Sequence, residues 1–234
     1  MNALSSYTVE DQRRMTRAKN YFAWQARLVL PELGRRVLEI GCGIGNFTGL
    51  LADREAVIAV DSNADCIAAL KSRWPAVHAF TLDAGSEAIV DLARFQPDSC
   101  VFLNVLEHIE DDVGALRSMA GLVRHGGYIV LVCPAFPFAM SPVDIATGHV
   151  RRYTKRTMRT ALTAAGLEVV DLKYANSLGL ICYYAFTSLL RRQPSTGGTM
   201  IFYDRVVVPV VHGAERLIRR PPFGQSVVAV ARVP

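Results

Sequence analysis

Short apolar runs alternate with helix-patterned segments along most of this chain. The runs are Arg36-Val-Leu-Glu-Ile40, Ala56-Val-Ile-Ala-Val60, residues 77–80, Cys100-Val-Phe-Leu103 and Tyr128-Ile-Val-Leu-Val132. Most of their positions are apolar, which predicts strands buried on both faces. The intervening segments 46–53, 63–73, 87–95 and 111–123 predict helices. Strands alternating with helices give a parallel sheet covered on both sides, with right-handed crossovers. The expected fold class is therefore α/β, a Rossmann-like doubly wound sheet.

The pattern changes after Pro134. Residues 135–153 predict a loop and 154–165 a helix closed by Gly166; 167–173 and 226–232 predict two further strands. The expected total is about seven. Upstream, Tyr21, Trp24 and Leu28 fall at i, i+3 and i+7 on one face of a helix that Pro31 and Gly34 end. Between strands six and seven lies an insert, residues 176–222, with two apolar helical stretches at 178–190 and 200–218.

The length of 234 residues and a hydrophobic share of 51% suit one α/β domain with a modest elaboration. From Val150 onward there are 13 Lys and Arg against 4 Asp and Glu, a balance of +9, which leaves the first 149 residues at −4. A basic C-terminal third can attract an anionic substrate or a membrane surface, or simply aid solubility. The five cysteines are scattered without metal-ligand spacing, which predicts reduced thiols and a cytoplasmic setting. The first 14 residues lack a signal-peptide core, and the longest apolar stretch, 178–190, falls short of the roughly 20 residues that span a bilayer.

The strongest chemical signal is Glu39-Ile-Gly41-Cys42-Gly43-Ile-Gly45, between the first strand and the following helix. Alternating glycines let the main chain turn sharply and approach a ligand closely. The dinucleotide fingerprint is G-x-G-x-x-G, whereas here Asn46 stands where its third glycine belongs. Asp61 ends the second strand, where a carboxylate suits an unphosphorylated ribose.

The run Val37 to Gly45 resembles the first motif of class I S-adenosylmethionine-dependent methyltransferases. The likeness continues through Val57-Ile-Ala-Val-Asp61, Leu82-Asp83-Ala84, Asn104-Val-Leu-Glu-His-Ile109 and Arg124-His-Gly-Gly127. The resemblance implies a sheet whose last strand runs antiparallel and S-adenosyl-L-methionine as cofactor, leaving as S-adenosyl-L-homocysteine. It implies Glu39, Gly41, Cys42, Gly43 and Gly45 beside the methionyl and ribose portions, and Asp61 with Ser62 at the ribose diol. Asp83 and Ala84 would face the adenine, with Asn104 and Val105 near the methionine end. It also implies a division into an N-terminal helical lid (1–34), a cofactor-binding domain (35–175 with 223–234) and an acceptor cover (176–222).

Past the fifth strand, Gly148-His-Val-Arg-Arg-Tyr153 resembles a Gly-His-x-Arg-Arg-Tyr segment found in one small-molecule subset of these enzymes. His149 and Tyr153 are the expected catalytic groups, and His108, Asp144, Arg152 and Tyr21 the expected acceptor contacts. A structural loop is the competing reading of that segment. The histidines at 78, 108, 125, 149 and 212 lack ligand spacing, so no metal is expected. Nucleic-acid signatures are missing, so the partner expected is a small-molecule acceptor, hydrophobic or lipid-linked, with peripheral membrane contact through the insert and a monomeric or homodimeric state. The alternatives are an S-adenosylmethionine-binding protein without methyl transfer and an NAD-dependent oxidoreductase.

Overall fold

The computed structural model describes residues 9–184, 201–218 and 220–234. Seven strands form one sheet: β1 (Arg36–Ile40), β2 (Ala56–Asp61), β3 (His78–Thr81), β4 (Ser99–Leu103), β5 (Tyr128–Pro134), β6 (Glu168–Ala175) and β7 (Ser226–Arg232). Their order is β3-β2-β1-β4-β5-β7-β6. The first five pair in parallel, and β7 slots antiparallel between β5 and β6. The chain direction reverses beside β1 and β4, so the carboxyl ends of these strands open onto a crevice, where such sheets hold ligands.

Alternate side chains explain why the strands read as unbroken apolar runs. Leu38, Ile58, Cys100 and Ile129 pack on one face with Leu116 and Met119 of helix α4 (Asp112–Leu122) and Met158 of α6 (Lys155–Ala164). Val37, Val57, Val101 and Val130 pack on the other with Trp24 and Val29 of α2 (Lys19–Val29) and with Phe47 and Leu51. Both faces are therefore dry. Asn63 caps α3 (Ala64–Arg73) through its side-chain oxygen, and Thr154 with Thr157 forms a capping box on α6.

Two expected helices wind more tightly than anticipated. Only Thr48–Leu51 turns after the glycine loop, and it does so as a 3₁₀ helix; Glu87–Phe95 is also 3₁₀ and ends at Gln96, φ 49°. Hydrophobic spacing over so few residues does not separate three per turn from 3.6. An additional helix, α1 (Val9–Met15), precedes α2, and the loop at 135–153 contains the short α5 (Pro142–Ala146). Of the insert, α7 (Ser177–Tyr184), a π-helical turn (Tyr203–Val207) and α8 (Val208–Leu217) are described. The rest of the stretch 178–190, together with Arg191, Arg192, Met200 and Arg219, lies outside the described residues. Arg220 pairs with Asp171 of β6 at 2.8 Å. Among the described residues no helix is long and apolar enough to cross a membrane.

The π-helical turn is bound to the N-terminal helices. Asp204 accepts from the Tyr21 amide at 2.8 Å and from the Asn20 side chain, and Trp24 donates to Glu215 of α8 at 2.8 Å.

Candidate active site

The glycine loop leaves β1 with Gly41, Gly43 and Gly45 at φ of 71°, 55° and 80°. Side chains rarely adopt that left-handed region, and a Cβ on Gly41 would run into Val105. The sequence keeps these positions bare, and a bare main chain is what a close ligand needs. Asp61 stands across the loop: one carboxylate oxygen accepts from the Gly43 amide at 2.8 Å and the other from the Asn63 amide at 2.9 Å. Ser62 beside it is exposed. Gln12 of α1 also reaches the loop, its Oε1 accepting from the Ile44 amide at 2.8 Å and its carbonyl accepting from Asn46 at 2.9 Å. Nothing in the sequence pointed to Gln12, because such contacts join residues far apart in the chain.

Glu39 is buried and accepts from the Thr48 hydroxyl at 2.7 Å. Burial pushes its carboxyl up to about 8, with the charge of Asp61 acting in the same direction. A group whose folded pKa exceeds its unfolded value stabilises the fold below the unfolded value and loses that contribution as pH rises through the folded one. The unliganded protein is therefore expected to lose melting temperature between pH 7 and pH 8.5. Glu39→Gln is expected to flatten that slope, measured by thermal unfolding at several pH values. Charge of the opposite sign at this carboxylate, such as an ammonium group, would relieve its burial.

Cys42 is buried with its thiol pushed up by desolvation, so it contributes backbone and packing. Asp83 is exposed and accepts from the Gly85 amide at 2.8 Å, while Ala84 beside it is buried. Asn104 follows β4 at φ 55°, its amide donating to the Val132 carbonyl and its side chain to the Tyr21 hydroxyl at 3.4 Å. Burial raises the Tyr21 phenol to about 12, so it stays a neutral hydrogen-bonding group.

Past Asn104 opens a cavity of about 190 Å³ between the ends of the strands, α5 and α7. Tyr21, Asn104, Asp144, His149, Arg152 and Tyr183 are among its walls. Asp144 is the hub: Arg152 donates to it at 2.7 Å, Tyr183 at 2.9 Å and the Ser141 hydroxyl at 2.8 Å. His149 Nδ1 lies 3.0 Å from Asp144 Oδ1, with the ring off the axis of a full hydrogen bond. Burial alone would raise this carboxyl, but the donors of His149 and Arg152 outweigh it and hold Asp144 well below the usual range. It is an anion at neutral pH. Arg152 also donates to the Ala135 carbonyl at 3.1 Å and sits 4.8 Å over the Tyr183 ring. Tyr183 sits in an apolar run whose pattern signals only packing.

Tyr153 goes elsewhere. It bridges to Ala135 inside the core, and its hydroxyl donates to Asp112 at 2.7 Å, an acid that also holds Arg151 at 2.6 Å. Burial, then the bond to Asp112, raises its phenol far above the ordinary range.

The structure brings His108 and His149 together, although their sequence spacing argued against a shared cluster. The rings meet edge to face with centroids 4.6 Å apart. Ligand atoms of Glu107, His108 and His149 all lie within 4.8 Å of one another. Glu107 is fully buried, and among the described residues neither of its carboxylate oxygens has a hydrogen-bond partner. Burial pushes its carboxyl up to about 7, while His149 and Arg152 pull it back. Burial lowers His108 to about 4.

The sheet order, the left-handed glycine loop after β1 and the acid closing β2 define the class I methyltransferase fold. Comparison with known proteins agrees. Residues 9–172 match the family described as methyltransferase domain. The chain is 30% identical over 162 residues to a probable S-adenosylmethionine-dependent methyltransferase of Mycolicibacterium smegmatis, covering 65% of this chain and 62% of that one. It is 34% identical over 170 residues to a ubiquinone biosynthesis O-methyltransferase of Xanthomonas campestris, covering 67% and 69%. A solved S-adenosylmethionine-dependent methyltransferase from Archaeoglobus fulgidus superposes with a TM-score of 0.60 at 19% identity, over 92% of this chain and 94% of that one. The chain belongs to the methyltransferase-domain family, as a class I S-adenosylmethionine-dependent methyltransferase.

Proposed function

We propose that this protein methylates a hydroxyl of a small, largely apolar acceptor, with His149 taking the proton. The observation that carries the reading is the ionised Asp144 beside His149 and Arg152 in the wall of a cavity that also contains Asn104. S-adenosylmethionine, when bound, supplies an activated methyl group, so the residues have to align the acceptor, exclude water and manage one proton. Gly41 to Gly45 bring bare backbone against the cofactor, Asp61 and Ser62 meet its ribose, and Glu39 is placed for its ammonium group. Asp83, Ala84, Asn104 and Val105 complete the pocket. Asp144 orients His149 and balances the charge it gains, in the manner of acid–histidine dyads generally.

An apolar acceptor is supported by Ile145 and Ile181, which are exposed on α5 and α7, and by the O-methyltransferase named among the relatives. Of the segment 1–34, the described residues 9–34 act as the lid, with Gln12 over the loop and Tyr21 against the acceptor. Of the segment 176–222, α7, the π-helical turn and α8 act as the cover. His108 stands behind His149, and Tyr153 packs the core in place of the catalytic role its motif suggested. Tyr153→Phe is expected to cost about 1–3 kcal/mol of stability in a denaturant titration while leaving turnover near the parent value.

The test is a paired panel of phenols and anilines bearing apolar chains, incubated with S-adenosylmethionine and followed by mass spectrometry. Methyl ethers are expected. Turnover of anilines alone, insensitive to His149→Ala, would sink the reading.

A further inference from the structure

We propose that Glu107, His108 and His149 form a site for one divalent transition-metal ion at the edge of the acceptor cavity. The inference goes beyond methyl transfer and holds whichever atom the acceptor presents.

Geometry comes first. One nitrogen from each histidine and one carboxylate oxygen already lie within 4.8 Å of one another. Two imidazoles and a carboxylate are borderline donors, suited to Zn²⁺, Co²⁺, Fe²⁺ or Mn²⁺ more than to Ca²⁺ or Mg²⁺. Three protein ligands leave coordination positions open, and His149 lines the cavity, so those positions are within reach of a bound small molecule.

The unpaired acid is the second, independent observation. Glu107 has no exposed surface, and both of its side-chain oxygens lack hydrogen-bond partners among the described residues. Among the described residues, the weakly donating Cys133 thiol, the imidazole of His149 and the Arg152 guanidinium act on it. Folded proteins rarely bury a carboxyl group in that state without an ion or water to satisfy it.

One imidazole is also held from behind: His149 Nδ1 sits 3.0 Å from an Asp144 carboxylate oxygen. An outer acceptor on one ring nitrogen, leaving the other for a metal, is the usual support of a metal-binding histidine. The backbone is fixed as well, since the Val150 amide donates to the Glu107 carbonyl at 2.9 Å and the His149 amide to that of Asp144 at 2.8 Å. That stitching holds the Leu106–His108 turn against the loop after α5 before any ion arrives.

An ion here would occupy the His149 nitrogen that otherwise takes the proton, so in the loaded protein it would replace that base: it would acidify a coordinated acceptor hydroxyl, whose proton would pass to solvent while the oxygen stays bound. His149→Ala removes both routes, whereas Glu107→Gln and His108→Ala remove only the metal.

The test uses the full chain, stripped with chelator and titrated with Co²⁺ followed by visible absorption and with Zn²⁺ followed by calorimetry. One ion per chain is expected. Glu107→Gln and His108→Ala are expected to weaken it by at least about tenfold, with S-adenosylhomocysteine binding retained as the check on folding. His125→Ala, at a remote surface, is expected to bind as the parent does. Should a variant fail to fold, the parent still decides: paramagnetic Co²⁺ must broaden the imidazole resonances of two of its five histidines. Absence of stoichiometric binding, broadening of other histidines, or unchanged affinity in both variants would overturn the proposal.

Discussion

His149→Ala is expected to lower kcat by about 10²- to 10⁴-fold, the range over which a positioned general base contributes, with cofactor affinity unchanged. The prediction follows from how the side chain is held. Its amide donates to the Asp144 carbonyl at 2.8 Å, its ring lies 3.0 Å from the same residue's carboxylate, and that carboxylate is tied down by Arg152, Ser141 and Tyr183. Asp144→Asn should therefore have a smaller effect and displace the acidic limb of the pH–rate profile, because the imidazolium would lose its counter-charge. Steady-state kinetics with an acceptor from the phenol panel, beside calorimetry with S-adenosylhomocysteine, separates the two variants. Equal loss of cofactor binding in His149→Ala would mean the residue holds the fold and does not handle a proton.

The second large effect is expected at the other end of the crevice. Asp61→Ala should weaken S-adenosylhomocysteine binding by about 100-fold or more. Hydrogen bonds to a charged carboxylate contribute roughly 1.5–3 kcal/mol each, and about 1.4 kcal/mol corresponds to a factor of ten. The variant also strips the Gly43 and Asn63 amides of their acceptor, so the glycine loop loses its brace as well as its ligand contact. Asp61→Asn separates the two contributions, since it keeps an acceptor but not the charge. Calorimetric titration of both variants is the measurement, and parental affinity in Asp61→Ala would remove the sugar-binding role.

The sheet and the glycine loop's backbone were legible in the sequence because both are written locally. Strands apolar at successive positions report burial on both faces, and glycines at 41, 43 and 45 report a backbone that tolerates no side chain. Asn63 capping α3 is likewise a contact between near neighbours. The acceptor side was legible only as a collection of residues. His149, Arg152 and Tyr153 are adjacent in the chain, yet the β-bridge at Ala135 and Tyr153 sends the phenol into the core while Asp144 draws its two neighbours to the cavity. Glu107 and His108 meet His149 across about 40 residues, a separation at which spacing rules for metal ligands are silent. Gln12 and Tyr183 carried no signal at all, since their partners come from remote elements.

The bonds from Asp204 and Glu215 to α2 have a corollary for binding. They fasten the segment preceding β7 to the helix that carries Tyr21, so the lid and cover proposed above would share one hinge-pin. Donor loading and acceptor loading would then be coupled mechanically, and cutting a tether, as in Asp204→Ala, is expected to weaken the effect of one bound molecule on the affinity for the other, measured by calorimetry.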